Sequence, residues 1–311
     1  MSLATELRSA LGRISTPAKE IRDMLVILGA YNKQYSAANE KYENTWYVDG
    51  RVSASGDGSS WDEAFKTFAE AIAANNATID WADAWDWHRW NRILVAPGLY
   101  NENLETPFSC HVFGMGTLNE AGVRVEPDEG SPMSGAALGL VLDNIEFGCR
   151  TEHPVLDFSS FNNSIVRNCI LDAVIDDTVT HGIGITEEAT KSQILNNQFI
   201  NRGLPDKGMN YGIYPAGMFV GMIVKGNIMD NIRTAGIYID PAGKSGATFI
   251  EDNTIIVAGT GTGIDDNVGD SWIIRNHIIV KGAGDCINNA NTSHVIKNDV
   301  SVNGGAPELE T

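Results

Sequence analysis

Basic residues are scarce in this chain. Lys and Arg number 22 against 40 Asp and Glu, which sets a formal charge of -18 and an isoelectric point near 4.6. The Lys and Arg are scattered singly, with no basic patch. That speaks against nucleic acid or an anionic membrane as partner, since both are gripped through clustered cations. It also disfavours a strongly anionic polysaccharide. Cysteine is limited to Cys110, Cys149, Cys169 and Cys286, none in a CxxC pair or at a metal-like spacing from His. Neither a disulfide framework nor a metal site is expected, and no cofactor signature is present. Long hydrophobic runs are missing too. The most apolar segment, "MLVILGA" at 24–30, is only seven residues long and follows a charged stretch. Neither a membrane span nor a secretion signal is expected from it.

What the chain has in quantity is repetition. "LVLDNIEFG", "SIVRNCILD", "SQILNNQFI", "MIVKGNIMD", "FIEDNTIIV", "SWIIRNHIIV" and "SHVIKNDVSV" place Asn144, Asn168, Asn197, Asn227, Asn253, Asn276 and Asn298 in equivalent positions. The steps between them are 24, 29, 30, 26, 23 and 22 residues. A second column, Ile183, Ile213, Ile237, Ile264 and Ile287, keeps step, usually with a small residue before each Ile. Two short alternating segments per repeat read as strands, and the uneven spacing reads as loops of variable length. Such a unit buries its apolar face only by stacking on its neighbours, with a rise of about 4.8 Å per coil. Asn at one place in every coil suits a hydrogen-bonded amide ladder. The seven Asn are therefore expected to be structural.

These repeats resemble the right-handed parallel β-helix of the pectin-lyase-like superfamily. The segment 46–104 adds to the likeness. "WYVDGRVSASGDGSSWDEAFKTFAEAIAA" followed by "ILVAPGLYNENL" is similar to the opening of many such proteins, including phage-encoded ones. The resemblance covers about residues 46–303. It implies an all-β, single-stranded parallel β-helix solenoid with a capping helix at about 61–76. Phe65, Phe68, Ala69 and Ile72 give that helix an apolar face, and Ser60 or Asp62 is placed to cap it. The fold hosts lyases, hydrolases, epimerases and inert viral spikes, so it does not specify an activity.

Before the solenoid, residues 1–45 read as a helical attachment segment, with Pro17 at the first position of the second helix after Thr16. Its apolar stripe of Ile21, Met24, Leu25 and Leu28 suits assembly, or packing back along the solenoid. Residues 304–311 read as a tail. Trp81, Trp85, Trp87 and Trp90 suit packing around the cap, or a sugar platform.

A site on a β-helix must face outward from neighbouring coils. The column one residue after the Ile column is Gly184, Tyr214, Tyr238, Asp265 and Asn288, with Asp240 and Asp266 close by. Tyr214, Tyr238 and Asn288 are the glycan-binding candidates, because ring faces beside polar groups suit sugars. Asp240, Asp265 and Asp266 are the catalytic candidates, since glycosidases pair two carboxylates. The alternative is a solvated wall with turn aspartates. "GIDD" at 263–266 is similar to the Gly-Asp-Asp of polygalacturonase-like hydrolases but has an inserted Ile, and their other elements are missing. "YGIYPAG" at 211–217 is similar to an alginate-epimerase motif, with Tyr214 and Ala216 where that motif has Asp and His. Asp176 and Asp177 with His181 offer a metal-like trio of a kind common in turns.

The sequence thus predicts a structural protein of a bacteriophage virion: a capsid decoration, head spike or tail appendage. The resemblance implies a homo-oligomer, a trimer by the usual habit of viral β-helix spikes, attached to capsid or tail protein and able to contact host glycan. The competing expectation is a carbohydrate-active enzyme, free or as a short tailspike.

Overall fold

In a computed structural model, the described residues are 42–80, 90–118, 121–174, 179–201, 208–240, 245–246, 248–289, 293–302 and 308–310. The expected N-terminal helices with Ile21, Met24, Leu25 and Leu28 lie outside them. So do Trp81, Trp85, Trp87, Asp176, Asp177 and most of the C-terminal tail. The chain divides into two units between Glu43 and Asn44, and the second is a parallel β-solenoid.

Three ten-stranded sheets form its walls. The first runs from Tyr42–Val48 and Trp90–Val95 through Ile165–Arg167 and Gln193–Leu195 to His294–Ile296. The second runs from Gly98–Tyr100 through Ile170–Ala173 and Gln198–Asn201 to Asn298–Val302. The third holds Leu104–Glu105, Met133–Leu138, Leu156–Asn162, His181–Thr190, Tyr211–Pro215, Ala235–Ile239, Thr262–Asp266 and Ile287–Asn289, with Met218–Val220 and Ser245–Gly246 paired at its side. Each coil visits the sheets in that order, so every strand pairs in parallel with its counterpart one coil away, as Ile165 does with Gln193 and Val141. Glu308–Glu310 departs from this rule and pairs antiparallel with Asn298–Val302.

Alternation explains the walls. In Cys110–Gly114, residues 110, 112 and 114 face in and 111 and 113 face out. The interior is aliphatic and Phe-rich, with Phe147, Phe158, Phe161, Phe199 and Phe219 fully buried. The Ile column is a register column: Ile183 pairs with Ile213, Ile213 with Ile237, Ile237 with Ile264, and Ile264 with Ile287. The small residue before each Ile has a steric cause. A Cβ on Gly236 would sit 2.3 Å from Ile255 Cγ2 and 2.7 Å from the Gly263 carbonyl oxygen. One coil earlier, a Cβ on Gly212 would meet the Gly236 carbonyl at 2.5 Å and Met229 Sδ at 2.8 Å.

Between the first and second sheets the chain turns through one residue with positive φ. That residue is Asn144, Asn168, Asn196, Gly226, Asp252, Arg275 or Lys297 in successive coils, with φ between 52° and 67°. The position after it carries the ladder. Asn197 Nδ2 donates to Asn227 Oδ1 (3.0 Å), Asn227 Nδ2 to Asn253 Oδ1 (3.0 Å), Asn253 Nδ2 to Asn276 Oδ1 (2.9 Å) and Asn276 Nδ2 to Asn298 Oδ1 (3.0 Å). The second proton of each Nδ2 goes to a backbone carbonyl of the preceding coil, from Val166 for Asn197 to Ile273 for Asn298. These five Asn are essentially fully buried, and this network satisfies their amides. Asn144 and Asn168 are not in it. They occupy the left-handed corner one position earlier, which Asn tolerates better than most residues, and Cys169 stands in the ladder column of that coil. Its backbone N–H donates to Asn197 Oδ1 (3.0 Å).

The helix α1 is Phe68–Asn76, shorter than the 61–76 read from the sequence. Thr67 caps it, not Ser60 or Asp62, through a reciprocal capping box with Glu70. Phe65 is held instead in a bridge with Val48, its N–H donating to the Tyr47 carbonyl at 2.9 Å. Glu102 adds a second cap from the first coil: its carboxylate accepts the N–H groups of Phe68 and Ala69, both at 2.9 Å. Tyr100 donates its hydroxyl proton to the Ala96 carbonyl and lies edge-on to Phe68. The "VAPGLYNE" run at 95–102 is thus the device that seats the helix on the first coil.

Candidate functional site

The outward column of the third sheet gathers aromatic rings. Gly184 pairs with Tyr214, Tyr238 with Asp265, and Asp265 with Asn288, so these residues follow one another along the solenoid axis. Tyr214 and Tyr238 stack in parallel, with centroids 5.2 Å apart and planes 1° apart. His181 lies against Tyr214 at 4.4 Å. Tyr211 leans on His181 (5.4 Å), Tyr214 (5.0 Å) and Tyr238 (5.2 Å). The local sequence explains the grouping. His181 and Tyr211 stand two residues before their column Ile and are register partners, and Gly184, the column residue of the His181 coil, has no side chain to contribute to the face.

Carboxylates border the rings. Tyr214 donates its hydroxyl proton to Asp240 Oδ2 at 2.8 Å. Asp265 Oδ1 accepts from Asn288 Nδ2 (2.8 Å) and Asn267 Nδ2 (3.0 Å). Asp266 behaves differently. It is fully buried, its Oδ1 accepts the N–H groups of Val268 and Gly269, and its Oδ2 accepts the Ser293 hydroxyl. It is a turn-forming residue turned away from the strip. Asp240, Asp265, Tyr214, Tyr238 and Asn288 are thus brought to one face, and Asp266 is not.

Titration behaviour follows from these surroundings. Burial pushes the Asp265 carboxyl up, against the lowering by its two Asn amides. Burial and then the hydrogen bond to Asp240 push the Tyr214 phenol up to about 12. Tyr211 and Tyr238 are raised by burial first, then by the charges of Asp240 and Asp265. His181 is lowered to about 4 by burial, and its Nδ1 has no hydrogen-bond partner among the described residues. The His181 and Tyr211 contributions were not singled out as part of this strip from sequence. The signal was there, as aromatic residues in step at Ile minus two.

Two other polar features contrast with it. On the second sheet Arg124 bridges Glu126, Glu146 and Asp172, and Arg150 pairs with Glu126. The three carboxylates are almost fully buried, so the arginines serve mainly to compensate them. Near α1, Asp49, Arg51, Trp61, Ala96, Pro97 and Met115 line an open cleft of about 290 Å³. Among the described residues no group of three His, Cys, Asp or Glu is placed to hold a metal ion. All four cysteines are free and buried. No helix of the described residues is long and apolar enough to cross a membrane.

Compared with known proteins, the chain matches no family model and no curated protein.

Proposed function

We propose that the chain is a structural protein of a bacteriophage virion, whose solenoid presents the outer strip of its third sheet to host surface glycan. The observation that carries the glycan half is the run of His181, Tyr211, Tyr214 and Tyr238 beside Asp240, Asp265 and Asn288 on a single face. Aromatic faces with a few placed hydrogen-bonding groups are the usual means of holding a sugar ring. The virion half rests on the resemblance of residues 46–104 to phage-encoded β-helix proteins. In this reading residues 1–45 attach the chain to capsid or tail protein, and the assembled form is a homotrimer.

A non-catalytic role is favoured by what the aspartates are doing. Of the three candidates, Asp266 is committed to a buried turn and Asp240 to the Tyr214 hydroxyl. A carbohydrate-active enzyme is the second reading. It is favoured by Asp265, whose raised carboxyl suits a general acid.

The test is to incubate the full-length chain with a panel of surface polysaccharides. Retention of polysaccharide is measured together with release of new reducing or unsaturated ends, and the solution mass is measured by light scattering. Binding without new ends, by a trimer, supports the proposal. New ends that vanish in Asp265→Asn would establish the enzyme instead. A monomer would remove the assembly half.

A further inference from the structure

We infer that the sugar recognised by this strip carries a positive charge, as a free, protonated amino sugar does. The inference rests on the glycan-binding reading above and narrows it to one substrate class.

Stacking order is the first argument. Tyr214 has His181 against it and Tyr238 in parallel stack with it, so its faces are occupied within the protein. Tyr238 has Tyr214 in parallel stack on one side and Tyr211 tilted against it at 5.2 Å, and its register partner in the next coil is Asp265, too short to cover a ring. A ligand group arriving there meets an aromatic face and a carboxylate together. An ammonium group is attracted by both, through the negative face of the ring and through direct charge.

Charge is the second argument. The hydrogen bonds that Asp265 accepts come from the neutral amides of Asn267 and Asn288. Neither amide cancels its charge. Asp240 adds a second carboxylate within the same group of rings. Both carboxylates reach the phenols of Tyr211 and Tyr238, whose acidity they lower. The local field is negative, and so is the whole chain at -18. A uronic acid or a phosphorylated sugar would be repelled, whereas an amino sugar would be steered in.

The probes are paired oligosaccharides that differ only in N-acetylation: glucosamine oligomers against N-acetylglucosamine oligomers, and the same pair in the galactosamine series. Binding to the full-length chain is measured by calorimetry at neutral pH and near-physiological salt. The expected result is a free-amine preference of roughly tenfold in affinity. Asp265→Asn should erase the preference, and Tyr238→Leu should weaken the amine form by a similar factor. Glu105→Gln, an exposed position on the third sheet in the first coil, should change nothing. Equal binding of both forms, or of the acetylated form alone, overturns the inference and leaves the glycan reading standing. Equal losses in Glu105→Gln and Asp265→Asn would reveal unspecific attraction of a polycation and also overturn it. Absence of binding to these oligomers and to the whole polysaccharide panel overturns both readings. Circular dichroism of each variant separates loss of the site from loss of the fold.

Discussion

Replacing Asn227 by Ala removes one rung from the middle of the amide ladder. The side chain takes part in four hydrogen bonds of 2.9–3.0 Å: two donated, to the Ile194 carbonyl and to Asn253 Oδ1, and two accepted, from the N–H and Nδ2 of Asn197. At about 1 kcal/mol net for each, the loss is about 4 kcal/mol. Burial leaves the abandoned Asn197 and Ile194 groups little access to water, which keeps the figure from being smaller. The control is Asn196→Ala, next door in sequence but exposed at the left-handed corner, φ 54°. There the loss is the backbone preference alone, about 1 kcal/mol. For a chain of 311 residues, 1 kcal/mol corresponds to roughly 1.5 °C in Tm. Asn227→Ala should therefore melt about 6 °C below the parent, and Asn196→Ala about 1.5 °C below. Thermal unfolding followed by far-UV circular dichroism reads both. Amide exchange should localise the damage to the coils on either side. Equal shifts for the two variants would refute the ladder as a source of stability.

Other consequences are open to simpler tests. Glu102→Ala strips a carboxylate from the first N–H groups of α1 and should cost about 1–2 kcal/mol, visible as faster exchange at Phe68 and Ala69; unchanged exchange there would count against Glu102 as a cap. Gly236→Ala drives a methyl into Ile255 and the Gly263 carbonyl and should destabilise by about 1–3 kcal/mol, whereas Gly236→Ala with a native melting curve would deny the packing account of the small-residue column. His181 is held near 4 in the folded chain against about 6.5 unfolded. Because the folded value is the lower one, its contribution to stability is complete above about pH 6.5 and declines as pH falls toward 4. A His181 NMR titration should show its midpoint near 4, and His181→Gln should flatten the melting temperature over that window. A midpoint near 6.5 would mean the ring is not enclosed.

How much of this was legible beforehand depended on the period of the signal. The Ile column was readable because each coil repeats one aliphatic residue at one register position, and the structure pairs those residues directly. The Asn column was readable from Asn197 onward. At Asn144 and Asn168 it misled by one position, because Asn is also favoured at the corner that precedes the ladder. "NCI" and "NNQ" look alike until the positive φ of Asn168 and Asn196 is known. The start of α1 was misplaced for another reason. Phe65 fits the helical face by spacing, but the pairing of Gly58 and Phe65 back onto Tyr47 and Val48 takes precedence over that local pattern. The strip itself was half legible. Tyr214, Tyr238, Asp265 and Asn288 share a sequence column, whereas His181 and Tyr211 reach the same face from a different column. The inward commitment of Asp266 depends on Ser293, one coil away.

The ladder also has a direction. From Asn197 to Asn276, each Nδ2 gives one proton to the Asn Oδ1 one coil higher and the other to a backbone carbonyl one coil lower, so the five side-chain amides are linked head to tail and polarise one another. The oxygen end of the series is met at Asn197 by the backbone N–H of Cys169, and at the other end Asn298 donates back to the Ile273 carbonyl. Beside other buried polar side chains such as Ser164, Ser192, Thr248 and Ser271, the solenoid therefore contains one polarised thread of amides parallel to its axis, and its two ends are unlike.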